Sequence, residues 1–254
     1  MTYRTFGGRE WPDEDLVLPH GQHTAGHALG ILLLDEFYWP FMPGDVANAT
    51  TFNFPVLHKI VKGSNLAKTK RNDAETARLL IEAGLELQFQ GVRAIVGGCG
   101  FFGNFQSRLA EALEVPVFLS SLMQIPMVLQ AIKPDAKVAV FSDVRSLTDE
   151  LFGACGVNQL DRITKVHSTG LPETQKQFAT GRLNPAIYVK QLVQLASDHV
   201  AENPDVAVIV AEYTEFPTFA HAVQDEVGLP VFDTTTLAHW VYDSVVRKPF
   251  LGRF

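Results

Sequence analysis

The stretch GVRAIVGGCGFFGNFQ, residues 91–106, decides the fold. Residues 92–97 form an apolar run typical of a strand that is buried on both faces of a parallel sheet. The run ends in glycines around Cys99, and the residues after Gly103 have the pattern of a helix. A cysteine at such a junction is either a packing residue or a reactive group.

Similar strand and helix signals alternate along the rest of the chain. Asp73 is typical of a residue that caps a helix, here through about Leu85, and Asn184 before Pro185 predicts a helix through about Val200. Further helices are expected after Gly103, after Phe216 and from about Thr235 to Val246, and further buried strands at 28–34, 115–119, 137–141 and 206–211. Repeated strand–helix–strand units predict an α/β fold with parallel sheets flanked by helices.

Two segments of the sequence resemble each other. VRAIVGGCGFF begins at residue 92 and VAVIVAEYTEF at residue 206, and both are buried strands that enter a helix through a turn. We therefore expect two pseudo-symmetric halves with an active-site cleft between them. The predicted first half comprises 28–130 plus 218–254 and carries Cys99. The predicted second half comprises 131–217 and carries Tyr213, and 1–27 form a leader segment.

Composition excludes several classes of protein. The 254 residues are 46% hydrophobic and carry a net charge of -7, which favours a soluble globular protein and disfavours nucleic acid or an anionic membrane as partners. No apolar run approaches the roughly 20 residues of a membrane span, and no secretory signal is visible, so a cytoplasmic location is expected. The two cysteines argue against a disulfide framework.

The position of Cys99 favours chemistry. Ligands of open parallel sheets bind beyond the carboxyl ends of the strands, where Cys99 is predicted to lie. Gly97, Gly98 and Gly100 would let a ligand approach the backbone, and a helix N-terminus would lower the pKa of the thiol. Cys155 is predicted to close a helix and to be structural.

A resemblance to a known family adds to this interpretation. The segments ALGILLLDEFYWPFMPGDVANATTFNFPVLHKIV (28–61), GGCGFFGNFQ (97–106), PVFLSSLMQIP (116–126), VAVFSDVRSLTDELFGACGV (138–157) and VAVIVAEYTEFP (206–217) resemble the aspartate/glutamate racemase superfamily. The resemblance is to a branch that includes dimethylsulfoniopropionate lyases. It implies a cofactor-independent enzyme that moves a proton at the carbon next to the carboxylate of a small organic or amino acid, and a homodimer or higher homo-oligomer stays open.

The family pattern also assigns catalytic roles. Racemases of the superfamily use two cysteines on opposite sides of the substrate, and Cys99 matches the first of them. Tyr213 stands where the second would be. Because a phenol is a poor base at neutral pH, the pair favours a one-way isomerase, lyase or decarboxylase reaction, with Cys99 as base or nucleophile. Glu212 and Glu215 are further candidates for acid or base.

The substrate carboxylate needs hydrogen-bond donors. Candidates are the backbone after Cys99, including Gly100, and hydroxyls of the cleft, and the family resemblance adds two pocket neighbours. The complete set of predicted substrate-binding residues is Asp35, Thr51, Gly100, Asn104, Ser120, Ser121, Ser142 and Thr214. Residues 39–55, with three prolines and a Gly-Asp turn, are expected to form a long loop near the mouth of the cleft.

Two alternatives remain, a hydrolase and a protein that binds without turnover. GGCGFFG resembles the nucleophile elbow of a hydrolase, with His221, His239 and Asp233 as triad partners. A two-half protein with a cleft can also bind a small carboxylate without turnover. His20, His23 and His27 have spacing that would suit a metal, but a solvated leader is the favoured interpretation, so no metal is predicted.

Overall fold

The computed structural model describes residues 15–16, 21–36 and 39–250, so most of the predicted leader, including His20, lies outside the described residues. The strands are β1 Leu29–Leu34, β2 Val56–Val61, β3 Ala94–Gly97, β4 Val117–Phe118, β5 Lys137–Ser142, β6 Ile163–His167, β7 Val206–Ala211 and β8 Val231–Phe232. The α-helices are α1 Leu66–Lys70, α2 Ala74–Phe89, α3 Gln106–Ala112, α4 Ile125–Ala131, α5 Asp149–Ala154, α6 Pro172–Thr180, α7 Pro185–Glu202, α8 Ala220–Val227 and α9 Thr234–Val245.

The strands form two parallel four-stranded sheets with the same topology. The first has the order β2-β1-β3-β4 and the second β6-β5-β7-β8, so each strand of one half has an equivalent in the other. All pairings are parallel, which requires the intervening helices to cover the sheet faces. The predicted α/β class with two pseudo-symmetric halves is confirmed.

The predicted helix starts are present with the expected chemistry. Asp73 Oδ2 accepts a hydrogen bond from the backbone N–H of Thr76 at 2.9 Å, at the start of α2. Asn184 Oδ1 accepts one from the N–H of Ala186 at 3.1 Å, at the start of α7. These side chains satisfy amide groups that a helix start leaves without an intrahelical partner.

Three strands were not predicted from the sequence. β2 and β6 contain Lys59, His58 and Lys165 and lie at the edges of their sheets, where one side of the strand meets solvent. Such strands lack the continuous apolar run of the central strands. β8 has only two residues and carries no periodic signal.

The two halves exchange helices, which corrects the expected boundaries. The expectation placed 218–254 with the first half, but β8 pairs with β7 of the second sheet. Only α9 joins the first half, where Leu237 and Val241 pack in one cluster with residues of β1 and β3. Helix α4, expected in the first half, contacts β5 of the second. The helix after each sheet's last strand therefore packs on the opposite half and ties the two together.

Within the described residues, no helix is long and apolar enough to cross a membrane.

Candidate active site

A cavity of about 530 Å³ lies at the carboxyl ends of the central strands of both sheets. Both halves contribute to its wall. The lining residues that carry a polar or aromatic side chain and bear on the chemistry are Trp39, Asp45, Lys70, Cys99, Phe101, Asp143, Ser168, Tyr188, Glu212, Tyr213, Thr214 and Glu215. The position agrees with the rule that ligands of parallel sheets bind beyond the strands' carboxyl ends.

Cys99 lies two residues after the end of β3 and immediately before a short 3₁₀ helix, Gly100–Phe105. Its neighbouring glycines are needed because protein atoms approach them. A Cβ on Gly97 would lie 2.1 Å from the carbonyl oxygen of Leu119, and one on Gly100 would lie 2.3 Å from the carbonyl oxygen of Glu212. The glycines therefore pack the turn against both halves, whereas we had expected them to admit a ligand. Gly100 nonetheless lines the cavity.

The expected lowering of the Cys99 pKa is wrong. The thiol is only 7% exposed, and this burial, together with the Glu212 carboxylate, raises its pKa well above the ordinary value. The backbone N–H of Phe101 and the Lys70 ammonium act in the opposite direction but are weaker. The helix that follows is a 3₁₀ helix of only six residues, so its dipole has little effect on the pKa of Cys99. In the free protein Cys99 is a thiol.

Glu212 is the buried carboxyl next to this thiol. It follows β7, the equivalent of β3, and is 1% exposed. Its Oε2 accepts a hydrogen bond from Ser142 Oγ at 2.7 Å, whereas its Oε1 has no hydrogen-bond partner. Burial raises the pKa of Glu212 to about 7, against the smaller effects of the Ser142 hydrogen bond and of Lys70.

The next three residues complete this wall of the cavity. Tyr213 Oη lies 3.2 Å from Tyr188 Oη, and burial raises the pKa of Tyr213 well above its ordinary value. Thr214 Oγ1 donates a hydrogen bond to the carbonyl of Gly98 at 3.4 Å, which links the two halves. Burial, followed by the Asp45 carboxylate, raises the pKa of Glu215 to about 8.

An ion pair across the cleft was not anticipated from the sequence. Lys70 Nζ at the end of α1 lies 2.8 Å from Asp143 Oδ2, which follows β5. Burial acts to raise the pKa of Asp143, but the bonds from Lys70 and Arg145 hold it well below its usual range. Asp143 occupies a strand end like those of Cys99 and Glu212, so the strand pattern contained a signal for it.

Three predicted binding residues lie outside the cavity wall and stabilise its surroundings. Asp35 forms an ion pair with Lys62 on the protein surface. Thr51 donates a hydrogen bond within the loop 39–55, which is irregular and reaches the cavity as expected. Asn104 donates one to a backbone carbonyl of α1 at 3.1 Å.

The three predicted serines also lie behind the wall. Ser120 accepts a hydrogen bond from the backbone at the start of a 3₁₀ turn. Ser121 Oγ donates to the carbonyl of Ala211 at 2.6 Å and so fixes the end of β7. Ser142 acts on the cavity through its bond to Glu212.

The alternative triad is not assembled. Asp233 caps α9 through a hydrogen bond from the backbone, and His239 packs edge-on against Phe54. No histidine lines the cavity among the residues that the structure describes, so a hydrolase with His221 or His239 as base is excluded for this arrangement. Within the same residues no group of three potential metal ligands occurs.

Comparison with known proteins agrees with this architecture. No family model matches the chain. It is 32% identical over 241 residues to dimethylsulfoniopropionate lyase 3 of Emiliania huxleyi, which covers 90% of the chain and 63% of that relative's length. It is also 29% identical over 259 residues to a dimethylsulfoniopropionate lyase of Durusdinium sp. clade D, covering 97% of the chain and 85% of the relative.

Solved structures share the fold at low sequence identity. Unliganded arylmalonate decarboxylase superposes with a TM-score of 0.56 and 13% identity, covering 89% of this chain and 95% of that one. Glutamate racemase RacE1 of Bacillus anthracis superposes with a TM-score of 0.53 and 12% identity, covering 86% and 82%. The chain therefore shares the fold of these structures, and in sequence it is similar to dimethylsulfoniopropionate lyases. Tyr213 stands where the motif that the sequence resembles has its second cysteine.

Proposed function

We propose that the protein is a cofactor-independent lyase of the aspartate/glutamate racemase superfamily. It removes a proton from the carbon next to the carboxylate of a small organic acid and expels a leaving group from the following carbon. Cys99 is the base or nucleophile, and dimethylsulfoniopropionate, the substrate named for its relatives, is the first compound to test. The observation that carries this proposal is the enclosed pair formed by the Cys99 thiol and the Glu212 carboxyl in the cavity.

This pair supplies the proton acceptor that an elimination requires. A buried thiol with a raised pKa is a poor base alone, but Glu212, with a pKa of about 7, is substantially ionised at neutral pH. Its Oε1 has no hydrogen-bond partner within the protein and is available to a proton. A positive charge on a bound substrate lowers the pKa of both groups, so a larger fraction of them is deprotonated and able to accept a proton.

Lys70 is proposed to bind the substrate carboxylate. It lines the cavity, its side chain is 24% exposed, and it acts electrostatically on Cys99. An ammonium and a carboxylate form a charge-assisted hydrogen bond. Asp143 holds the ammonium at 2.8 Å and so keeps it in position before the substrate arrives. The acidic carbon next to the carboxylate then lies near the thiol.

The elimination balances without a cofactor. The base takes the proton of the carbon next to the carboxylate, and the electron pair of that C–H bond forms a carbon–carbon double bond. The bond between the following carbon and the sulfonium sulfur breaks, and its electrons neutralise the sulfur. The products are acrylate, dimethyl sulfide and the protonated base.

Racemisation in both directions is not supported by the Tyr213 side of the cavity. Burial holds the pKa of this phenol well above 10, so it is protonated at neutral pH and cannot accept a proton from a substrate. Elimination needs a base on one side only.

Turnover of dimethylsulfoniopropionate tests the proposal. Dimethyl sulfide is measured in the headspace by gas chromatography, and acrylate and deuterium exchange at the carbon next to the carboxylate by ¹H NMR in D₂O. We expect product from the wild type and a loss of at least about a hundredfold in Cys99→Ser and Cys99→Ala. The matched control is Cys155→Ser, which removes the other buried thiol, outside the cavity wall, and is expected to retain turnover.

Each contrary outcome has a distinct meaning. Full activity in either Cys99 variant would remove Cys99 from the mechanism and leave Glu212 as the base to test. Carbon dioxide release from a malonate, with no sulfide from the sulfonium compound, would replace the lyase by a decarboxylase. Saturable binding of carboxylates by the wild type, with neither product nor deuterium exchange, would make the protein a carboxylate-binding protein without turnover.

A further inference from the structure

One group of side chains in the cavity has no part in the proton transfer proposed above. It consists of the aromatic rings of Trp39, Tyr188 and Tyr213 and the carboxyl groups of Asp45 and Glu215. The Trp39 and Tyr188 rings pack edge to face with centroids 5.0 Å apart, and the two phenol oxygens are 3.2 Å apart. The group thus combines aromatic faces with acidic groups in one part of the cavity wall.

Asp45 reaches the cavity wall because its loop packs closely against the second half. Gly44 has φ +104°, a conformation that favours glycine, and a Cβ there would lie 2.6 Å from the backbone of Thr218. Thr51 Oγ1 accepts a hydrogen bond from the Gly44 N–H at 3.0 Å. Asp45 is 4% exposed, and Asp45 is the charged neighbour with the largest effect on Glu215. The close packing of Gly44 therefore brings these two carboxyls together.

The carboxyls of the cavity lack a positive partner. Among the residues that the structure describes, none of Asp45, Glu212 and Glu215 forms an ion pair, and the nearby cations Lys70 and Arg145 both pair with Asp143. Glu212 gives an independent sign of a missing ligand, because it is 1% exposed, lines the cavity and leaves Oε1 without a hydrogen bond. Buried carboxylates without a counter-charge are costly, so a cation from outside would be favoured there.

We infer that Trp39, Tyr188, Tyr213, Asp45 and Glu215 form a cage for a methylated onium group of the substrate, either a sulfonium or a quaternary ammonium. Such a cation has no hydrogen to donate and spreads its charge over methyl groups, which suits aromatic rings. A cation held beside Asp45 and Glu215 lowers the pKa of both carboxyls, and their ionised forms then supply the opposite charge. The inference deepens the proposed function and rests on it only for the identification of the onium group as the leaving group. It gives Tyr213 a recognition role at the position of the family's second cysteine.

Binding of two unreactive compounds of the same shape tests the cage. The probes are 3-(trimethylammonio)propionate and its neutral carbon isostere 4,4-dimethylpentanoate, titrated into the protein by calorimetry. Both carry the carboxylate, so their affinity ratio reports the positive charge alone. We expect the wild type to bind the ammonium compound at least about tenfold more tightly, as is typical of a desolvated cation on aromatic rings.

Variants separate the cage from the rest of the site. Asp45→Asn combined with Glu215→Gln is expected to bring the ratio close to one while the neutral compound still binds, and Trp39→Leu to lower it severalfold. The control is Asp35→Asn, an acidic residue on the surface beside Lys62, which should keep the wild-type ratio.

The result does not depend on turnover. A ratio near one in the wild type, or a ratio that is unchanged in the Asp45→Asn/Glu215→Gln variant, would overturn the cage even if dimethylsulfoniopropionate is cleaved. A high ratio that these variants abolish would support it even if no cleavage occurs, and only the proposed lyase reaction would then fail. If a variant does not fold, the affinity ratio of the two probes for the wild type still tests the cage.

Discussion

Replacing Glu212 by glutamine should change how the stability of the protein depends on pH. The carboxyl has a pKa of about 7 in the folded protein and 4.5 as its ordinary value, because it is buried in the cavity wall. Below pH 4.5 it is protonated in both states and contributes its full stability. As the pH rises, the unfolded chain releases the proton first, so the free energy of unfolding falls until about pH 7 and then levels off. With about 1.4 kcal/mol for each pH unit, the total loss is about 3 kcal/mol.

Glutamine keeps the size and an oxygen that can accept the Ser142 hydrogen bond, but it does not ionise. The unfolding free energy of Glu212→Gln should therefore rise relative to the wild type by about 3 kcal/mol between pH 4.5 and pH 8. Urea unfolding followed by fluorescence at four or five pH values gives the two curves. Glu226→Gln, at an exposed position on α8, should follow the wild type. Parallel curves for Glu212→Gln and the wild type would show that Glu212 does not carry a raised pKa.

Two further substitutions test the elements that position the substrate. Lys70→Met should raise KM for a carboxylate substrate about tenfold to a hundredfold, because a charge-assisted hydrogen bond is lost. Lys62→Met, outside the cavity, should leave KM unchanged. Equal KM values for the two variants would remove Lys70 from carboxylate binding. Gly44→Ala should lower the free energy of unfolding by more than about 1 kcal/mol and raise KM, because its Cβ meets the Thr218 backbone at 2.6 Å. Gly63→Ala has a similar positive φ but its nearest contact is 3.5 Å, so a larger loss in Gly63→Ala would refute the steric explanation.

Strands that are buried on both faces were predictable, because burial on both faces requires a continuous run of apolar residues. Central strands β1, β3, β5 and β7 are covered on both faces, and each was found at the expected place. Edge strands β2 and β6 contain polar and charged residues, among them Lys59 and Lys165, because one side meets solvent, so they lack a continuous apolar run. The exchange of α4 and α9 between the halves depends on which sheet face is left uncovered, which no local pattern records.

The site residues also fall into those that the strand pattern predicts and those that depend on tertiary contacts. Several cavity residues come just after the carboxyl ends of the equivalent strands β3 and β7. Parallel topology brings such ends to one edge of a sheet, so the presence of these residues in the cavity could be inferred. They are Cys99, Glu212, Tyr213, Thr214 and Glu215. A binding role for the predicted hydroxyls could not be inferred in this way, because a serine or threonine near a strand end forms a hydrogen bond with the backbone as readily as with a ligand. The Cys99 pKa was misjudged because burial and a neighbouring carboxylate are tertiary features, and they outweigh a short helix.

The proposed chemistry and the proposed cage are consistent with each other, because elimination removes the charge that the cage binds. Before elimination the substrate carries a positive charge that the carboxyls and the rings of Trp39, Tyr188 and Tyr213 attract. When the carbon–sulfur bond breaks, that charge disappears, and the neutral sulfide no longer interacts with the carboxylates. The attraction that holds the substrate is therefore absent from the product, which favours release. A thiol at position 213 would offer a second base for racemisation, whereas the protonated phenol offers an aromatic face for the cation and no route for the reverse proton transfer.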